Sequence, residues 1–298
     1  MSTDAVVIWG ELLWDRFPPA AGGDQLGGAP ANVAWHLGQA GGWAQLVTRV
    51  GDDDDGRRAL ARIAPLVDTT LVQIDPERAT GEVTVVVDPA TGEPRYTLHA
   101  GRAWERIACT PAVQAAIADA GVIVYGTLAQ RAPEGLAGWQ AALAAARPGA
   151  IKVYDANLRP GDRAGHVIGE ALAHADVVKL NDREVGQLAD VLGWPDPVAH
   201  LRGERARVVV VTHGAAGSTI YPSAGAPIEL AAVAATPGGD NVGCGDAYLA
   251  LFVLGLTCGW DLALTGQVAA RWAAAVASAR GATPLFDDDQ IAALLEPA

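Results

Sequence analysis

Short β-branched apolar runs recur along this chain, and longer Ala/Leu-rich stretches separate them. The runs are Ala5–Trp9, Ala44–Val50, Gly121–Tyr125, Ile151–Asp155, Val177–Leu180 and Val208–Thr212. They are nearly continuous in apolar character, the mark of strands buried on both faces. Helical patterns fill the gaps, at Ala31–Gln39, Arg57–Ile63, Pro133–Ala146, Gly165–Ala173, Glu184–Leu192 and Val198–Glu204. Strand and helix in alternation predict an α/β fold, a mainly parallel central sheet flanked by helices. The last stretch, Ala247–Leu256, Leu262–Ala279 and Asp288–Leu295, reads as helical and would close one side of that sheet.

One region breaks the rhythm. Gly81–Val87 and Arg95–His99 alternate polar and apolar residues, and Asp88–Gly92 between them is a hairpin turn sequence. With Thr70–Ile74 they are expected to form a small antiparallel sheet projecting from the body. An extra edge of the main sheet is the competing reading.

Half of the 298 residues are hydrophobic, enough for a sizeable core. A net charge of −13 argues against nucleic acid, which needs a basic footprint, and serves solubility instead. Cys109, Cys244 and Cys258 show neither metal spacing nor a paired framework, which fits a reducing cytoplasm. Met1–Asp4 lacks the basic region of a signal peptide, and no uncharged apolar run approaches about 18 residues. A cytoplasmic protein without a membrane partner is expected.

The chemistry concentrates at Gly238–Tyr248, where a glycine-rich turn runs into an apolar helix. Gly243 and Gly245 let backbone N–H groups converge, and a helix beginning near Cys244 aims its unpaired donors at the same point. That is a site for a phosphate or a developing oxyanion. Asp246 at the junction could take a proton from an attacking hydroxyl, or could be an ordinary first-turn acid.

Further candidates follow the strands. Asp15 could accept hydrogen bonds from two adjacent sugar hydroxyls or form a turn. Gly27-Gly28-Ala29-Pro30-Ala31-Asn32 allows close backbone approach and places a donor–acceptor amide at a helix start, as an ordinary loop-to-helix junction also would. Asp155-Ala156-Asn157-Leu158-Arg159 ends a strand, and Arg159 could approach a phosphate or remain a surface arginine. Asn181 and Glu184 have the spacing of a capping box and also the carboxylate-plus-amide chemistry that magnesium prefers. His213 has no second ligand at metal spacing. Neither a P-loop nor a Gly-x-Gly-x-x-Gly after the first strand is present, which disfavours P-loop ATPases and Rossmann dehydrogenases.

The string Asp240–Asp246 resembles the Asp-Thr-x-Gly-Ala-Gly-Asp signature of ribokinase-like sugar kinases, the phosphofructokinase B group, with Asn241 for Thr and Cys244 for Ala. The segments around Asp15 and Gly27–Asn32 resemble the sugar-binding signature of the same family. Gly92–Tyr96 and Ala103–Ile107 look like the fructokinase pattern, with Glu105 where Asp is usual. The resemblance implies a ribokinase-like three-layer sandwich spanning 1–298 as a single domain. Its lid strands would come from about 11–28 and 70–101. It implies Asp246 as catalytic base with the backbone of Gly243, Cys244 and Gly245 as anion hole. Asp15, Gly28, Asn32 and Arg159 would contact the sugar. ATP would meet Asn181, Thr212, Gly214, Gly217 and Gly281, and Glu184 would order Mg²⁺ through water. Asp240, with carbonyls near Gly281, admits a monovalent cation such as K⁺. The expected activity is an ATP-dependent fructokinase. The rivals are kinases of ribose, ketodeoxygluconate or adenosine, and a non-catalytic sugar sensor. The lid also admits pairing into a homodimer.

Overall fold

The computed structural model describes residues 5–19, 22–87, 94–159, 164–204 and 206–296. The chain opens with β1 (Val6–Trp9), β2 (Leu13–Arg16), β3 (Asp24–Gly27), α1 (Ala29–Gln39), β4 (Ala44–Val47), β5 (Arg49–Gly51) and α2 (Asp54–Ile63). Next come β6 (Gln73–Asp75), β7 (Gly81–Val87), β8 (Pro94–Leu98), α3 (Pro111–Asp119), β9 (Val122–Tyr125) and α4 (Pro133–Ala144). The alternation continues through β10 (Ile151–Asp155), α5 (Gly165–His174), β11 (Val177–Asn181), α6 (Asp182–Leu192), α7 (Pro197–Glu204) and β12 (Val208–Thr212). It ends with β13 (Ser218–Pro222), β14 (Ile228–Leu230), α8 (Cys244–Cys258), α9 (Leu262–Ala277) and α10 (Asp288–Leu295).

Eight strands form the main sheet in the order β14-β13-β12-β11-β10-β9-β1-β4. Neighbours from β12 to β4 pair in parallel, and β13 and β14 add an antiparallel edge. Side chains leave a strand on alternate faces, so each run feeds two cores. Val6, Ile8, Val122 and Val124 pack beneath α1, α8 and α9, whose fillers include Trp35, Phe252 and Trp272. Val7, Trp9, Ile123 and Tyr125 enter a second core with Trp139 of α4 and Leu188 of α6. Continuous apolar strands result because both faces are dry. No helix among the described residues is long and apolar enough to cross a membrane.

A second sheet runs β3-β2-β7-β8, with β2 and β7 parallel and the other pairs antiparallel. Leu13, Val83 and Val85 form its small core. Thr70–Ile74 does not join it. Instead β6 pairs in parallel with β5 as a separate two-stranded sheet, after Ala44–Val50 divides at Thr48. The expected turn Asp88–Gly92 lies outside the described residues. Helix α3 had no expectation, because its Ala-rich sequence has little apolar periodicity. Its signal was local: Thr110 caps it by accepting from the Val113 N–H, and Pro111 fills the first turn.

Candidate active site

In a parallel sheet every strand ends on one edge, so distant residues meet there. Asp155 at the carboxyl end of β10 and Lys179 on β11 lie toward the N-terminus of α8. Gly243 caps α8 with φ +75°, a left-handed conformation suited to glycine. A Cβ at Gly243 would lie 2.7 Å from Cα of Ala282, so no side chain fits. The first N–H groups of α8 lack partners within the helix, and the positive end of its dipole lies there.

Asp246 sits in this first turn, 9% exposed, and one of its oxygens accepts a 2.8 Å hydrogen bond from Nδ2 of Asn32. Asn32 lies in the first turn of α1. Gly28 starts that helix at φ +102°, so close to the chain that a Cβ would come within 2.4 Å of the Glu11 carbonyl. Burial pushes the Asp246 carboxyl up to about 7, and the charge of Asp155 pushes the same way. Lys179, the Asn32 hydrogen bond and Arg159 pull against them. The result is a carboxyl poised to exchange its proton near neutral pH.

Lys179 was missed by the motif reading. It interrupts the apolar run of β11, where an unpaired charge would be strongly unfavourable. Strand register sets it beside Asp155 of β10, and Nζ lies 3.1 Å from Oδ1. Burial lowers the affinity of this amine for its proton, but Asp155, Glu184 and Asp246 together outweigh it and hold the ammonium charged. A Cβ at Gly245 would sit 2.9 Å from Nζ. A fixed positive charge therefore underlies the glycine turn. A lysine inside a doubly buried strand was the available signal.

Glu184 is 1% exposed and closes a capping box with Asn181 at the start of α6. Its oxygens accept from the N–H groups of Asn181 at 2.8 Å and Leu158 at 3.0 Å. It thus staples the loop after β10 to α6, helped by Asn157 at φ +36°. Burial raises its pKa, Lys179 opposes this and Asp155 adds to it. Among the described residues no group of three His, Cys, Asp or Glu side chains could cage a metal. One buried oxygen, Oδ2 of Asp155, has no hydrogen-bond partner there.

Asp15 lies on β2 opposite Gln25, and Gly27 further along β3 leaves its carboxyl room, since a Cβ there would be 2.3 Å from its Oδ2. Burial raises Asp15 to about 6 against the pull of Arg159. The Asp15 charge also helps burial raise the hydroxyl pKa of Tyr96 on β8. Glu11 was likewise missed. Burial raises it to about 7, opposed by backbone hydrogen bonds and by Arg159 and Arg131. Arg159 thus acts on Glu11, Asp15 and Asp246 together. A cavity of about 20 Å³, room for a single water, lies among Glu11, Asp155, Asn157 and Arg159.

Thr212 ends β12 and donates to the Leu180 carbonyl at 3.3 Å. Gly214 and Gly217 take φ +56° and +103° in the following turn. His213 bonds Asp182 and Thr219, which accounts for both ring nitrogens. Asp240 accepts from the N–H groups of Val242 and Gly281, each at 3.0 Å, and so ties the glycine turn to the segment after α9. The Cys244 thiol is pushed up to about 11 by burial, Asp240 and Asp246, and stays neutral.

A family model described as "pfkB family carbohydrate kinase" matches residues 19–289. A fructokinase of Klebsiella pneumoniae is 28% identical over 264 residues, covering 84% of each chain. An ATP-dependent ribose-1-phosphate kinase of Halopiger xanaduensis is 29% identical over 299 residues, covering 95% of this chain and 93% of that one. The crystal structure of a Xylella fastidiosa fructokinase with bound ATP superposes with a TM-score of 0.84, at 22% identity and 98% coverage of both chains. The fold is the one these kinases share.

Proposed function

Because the chain belongs to the pfkB family of carbohydrate kinases, we propose that it transfers the γ-phosphoryl group of ATP to a hydroxyl of a monosaccharide, D-fructose first among the candidates. The observation that carries the assignment is Asp246: a buried carboxyl held near neutrality in the turn whose backbone donors converge. The sugar would lie between Asp15, Asn32 and the strands of the second sheet, which act as a lid. Gly28 permits its close approach, and Arg159 balances the surrounding carboxyls. ATP would extend along Thr212, Gly214, Gly217 and Gly281.

In the transfer the sugar oxygen forms its bond to the γ-phosphorus while the bond from that phosphorus to the bridging oxygen of ADP breaks. Asp246 receives the hydroxyl proton. The N–H groups of Gly243, Cys244 and Gly245 hold the equatorial oxygens, with Lys179 behind them. Catalysis is then positioning plus electrostatics. The donor set suits magnesium held through water and phosphate, and Asn181, Glu184 and the unpartnered oxygen of Asp155 would hold it. When bound, that ion neutralises charge on the phosphates. Asp240 and the carbonyls near Gly281 are the proposed place for K⁺. Closure of the lid would exclude water, and its open edges at β3 and β8 are the proposed contact of a homodimer, which a monomeric mass in solution would reject.

The ribose-1-phosphate kinase among the relatives keeps a phosphorylated pentose as the second reading, with Arg159 as its phosphate contact. The experiment is Mg·ATP-dependent ADP release with fructose, ribose, ribose 1-phosphate, ketodeoxygluconate and adenosine. Release with fructose that vanishes in Asp246→Asn supports the proposal. Release with another acceptor keeps the mechanism and discards fructose. Sugar binding without release under any condition would leave a sensor.

A further inference from the structure

Trp14 and Asp15 are adjacent on β2, so their side chains leave opposite faces of the second sheet. Behind Trp14 lies a second cavity, of about 400 Å³, lined by Trp14, Asp24, Gln25, Arg58, Arg62 and the segment from Arg280 to Thr283. That volume is in the range of small-molecule sites. Three arginines and one aspartate line it, giving +2 within a chain of net charge −13.

Two of the arginines lie over indole rings. Arg58 lies over the Trp14 ring at 4.5 Å, and Arg62 over the Trp35 ring at 4.6 Å. Both indoles are fixed in turn: Nε1 of Trp14 donates to the Asp55 carbonyl at 3.0 Å, and Nε1 of Trp35 to the Pro284 carbonyl at 3.5 Å. Arg58 is paired with Asp24 at 3.1 Å and Asp55 at 3.5 Å, and Asp24 also meets Arg16. Arg62 and Arg280 have no carboxylate partner among the described residues. Arg280 projects from an anchored backbone: Asp240 accepts from the Gly281 N–H, and His36 bonds the Ala282 carbonyl at 2.8 Å. Because Nδ1 of His36 accepts from Nε1 of Trp272, its Nε2 must be the donor to Ala282.

A guanidinium stacked on an indole keeps its N–H edges available. Planar forks held this way favour phosphate over a spherical anion such as chloride. We propose that this cavity is a binding site for a phosphate-bearing small molecule, separate from the catalytic turn and read chiefly by Arg62 and Arg280. The Gln25 amide and the Thr283 hydroxyl supply neutral hydrogen-bonding groups at its wall. The site shares only Gly281 with the positions proposed for ATP, so the inference stands whichever sugar the kinase accepts.

The test is calorimetric titration of the full chain with inorganic pyrophosphate, for wild type, Arg62→Gln and the Arg62→Gln/Arg280→Gln pair. Loss of one charge-assisted fork should weaken binding roughly tenfold, and loss of both further still. Added salt should weaken the wild-type interaction. An unchanged melting temperature without ligand shows that each variant is folded. If a glutamine variant melts early, Arg62→Lys replaces it, and weaker binding there identifies the fork rather than the charge. Equal affinity in wild type and the double variant would overturn the proposal, since the anion then occupies the glycine turn. Absence of binding to the wild type would overturn it too. Repeating the titration with ADP and with fructose 1-phosphate names the bearer, as the ligand whose affinity depends on Arg62.

Discussion

Replacing Asp246 by asparagine should remove turnover and at the same time stabilise the fold. The folded carboxyl holds its proton up to about 7, whereas its ordinary value is 3.8. Between those values the folded chain binds more protons than the unfolded one, so stability falls as pH rises. The contribution is fully present below 3.8 and is lost as pH passes through about 7. At pH 8 the gap amounts to roughly 4 kcal/mol, an upper figure because α8 can relax. Asparagine imitates the protonated acid, and its amide oxygen can still accept from Asn32. Urea unfolding at pH 8 should therefore find Asp246→Asn more stable by a few kcal/mol, with the advantage reduced to about 2 kcal/mol at pH 5. The same variant should lose about 10² to 10⁴ in kcat, the range for removal of a positioned base. In the wild type kcat/KM should rise with pH to a plateau above about 7. The reasoning fails if the variant is no more stable at pH 8, or if its advantage is the same at both pH values. It fails also if turnover survives.

Three other perturbations probe the same framework. Lys179→Met leaves Asp155 and Glu184 buried without their cation, which should cost about 3–5 kcal/mol in urea unfolding and move the acid limb of kcat/KM upward. Gly243→Ala forces a Cβ onto Ala282 at positive φ, so kcat should drop about 10²-fold or more with little change in sugar affinity by calorimetry. Burial lowers His36 to about 4, so its imidazole should stay neutral in an NMR titration down to about that pH. Its linkage has the opposite sign to that of Asp246: the unfolded chain takes the proton first, and up to roughly 3 kcal/mol of stability is lost as pH falls from 6.5 toward 4.

Asp246, Asn32 and the glycine turn were legible in the sequence because their chemistry is local. A glycine at positive φ, a helix start and an acid one turn in can be recognised within a few residues. The main strands were legible for a related reason, since burial on both faces writes an uninterrupted apolar run. Other features depend on partners far along the chain. Whether Thr70–Ile74 joins β7 or, after a shift to Gln73–Asp75, pairs with β5 is decided by packing across the domain. β13 and β14 had no expectation: they continue the sheet past Thr212 as an antiparallel edge, and their short sequences do not stand out as apolar runs. Glu184 illustrates a mixed case. Its capping box is written in the spacing from Asn181, but its second bond, to the Leu158 N–H, spans 26 residues and had no local signature.

The charge arrangement follows from one register. Val153 and Val177 pack in the core beneath α8, while Tyr154, Val178 and Leu180 enter the other core. Alternation therefore turns Asp155 and Lys179 toward α8, and their direct pairing across β10 and β11 makes the buried ion pair a consequence of strand alignment. A slip of either strand by one residue would turn its charged group into the opposite core and leave the other without its partner. The pair in turn sets the environment of Asp246, because Asp155 raises its proton affinity and Lys179 lowers it. Burial brings the proposed base toward neutrality, and these two strand residues adjust it from opposite sides. The register of the sheet thus enters directly into the acidity of the site.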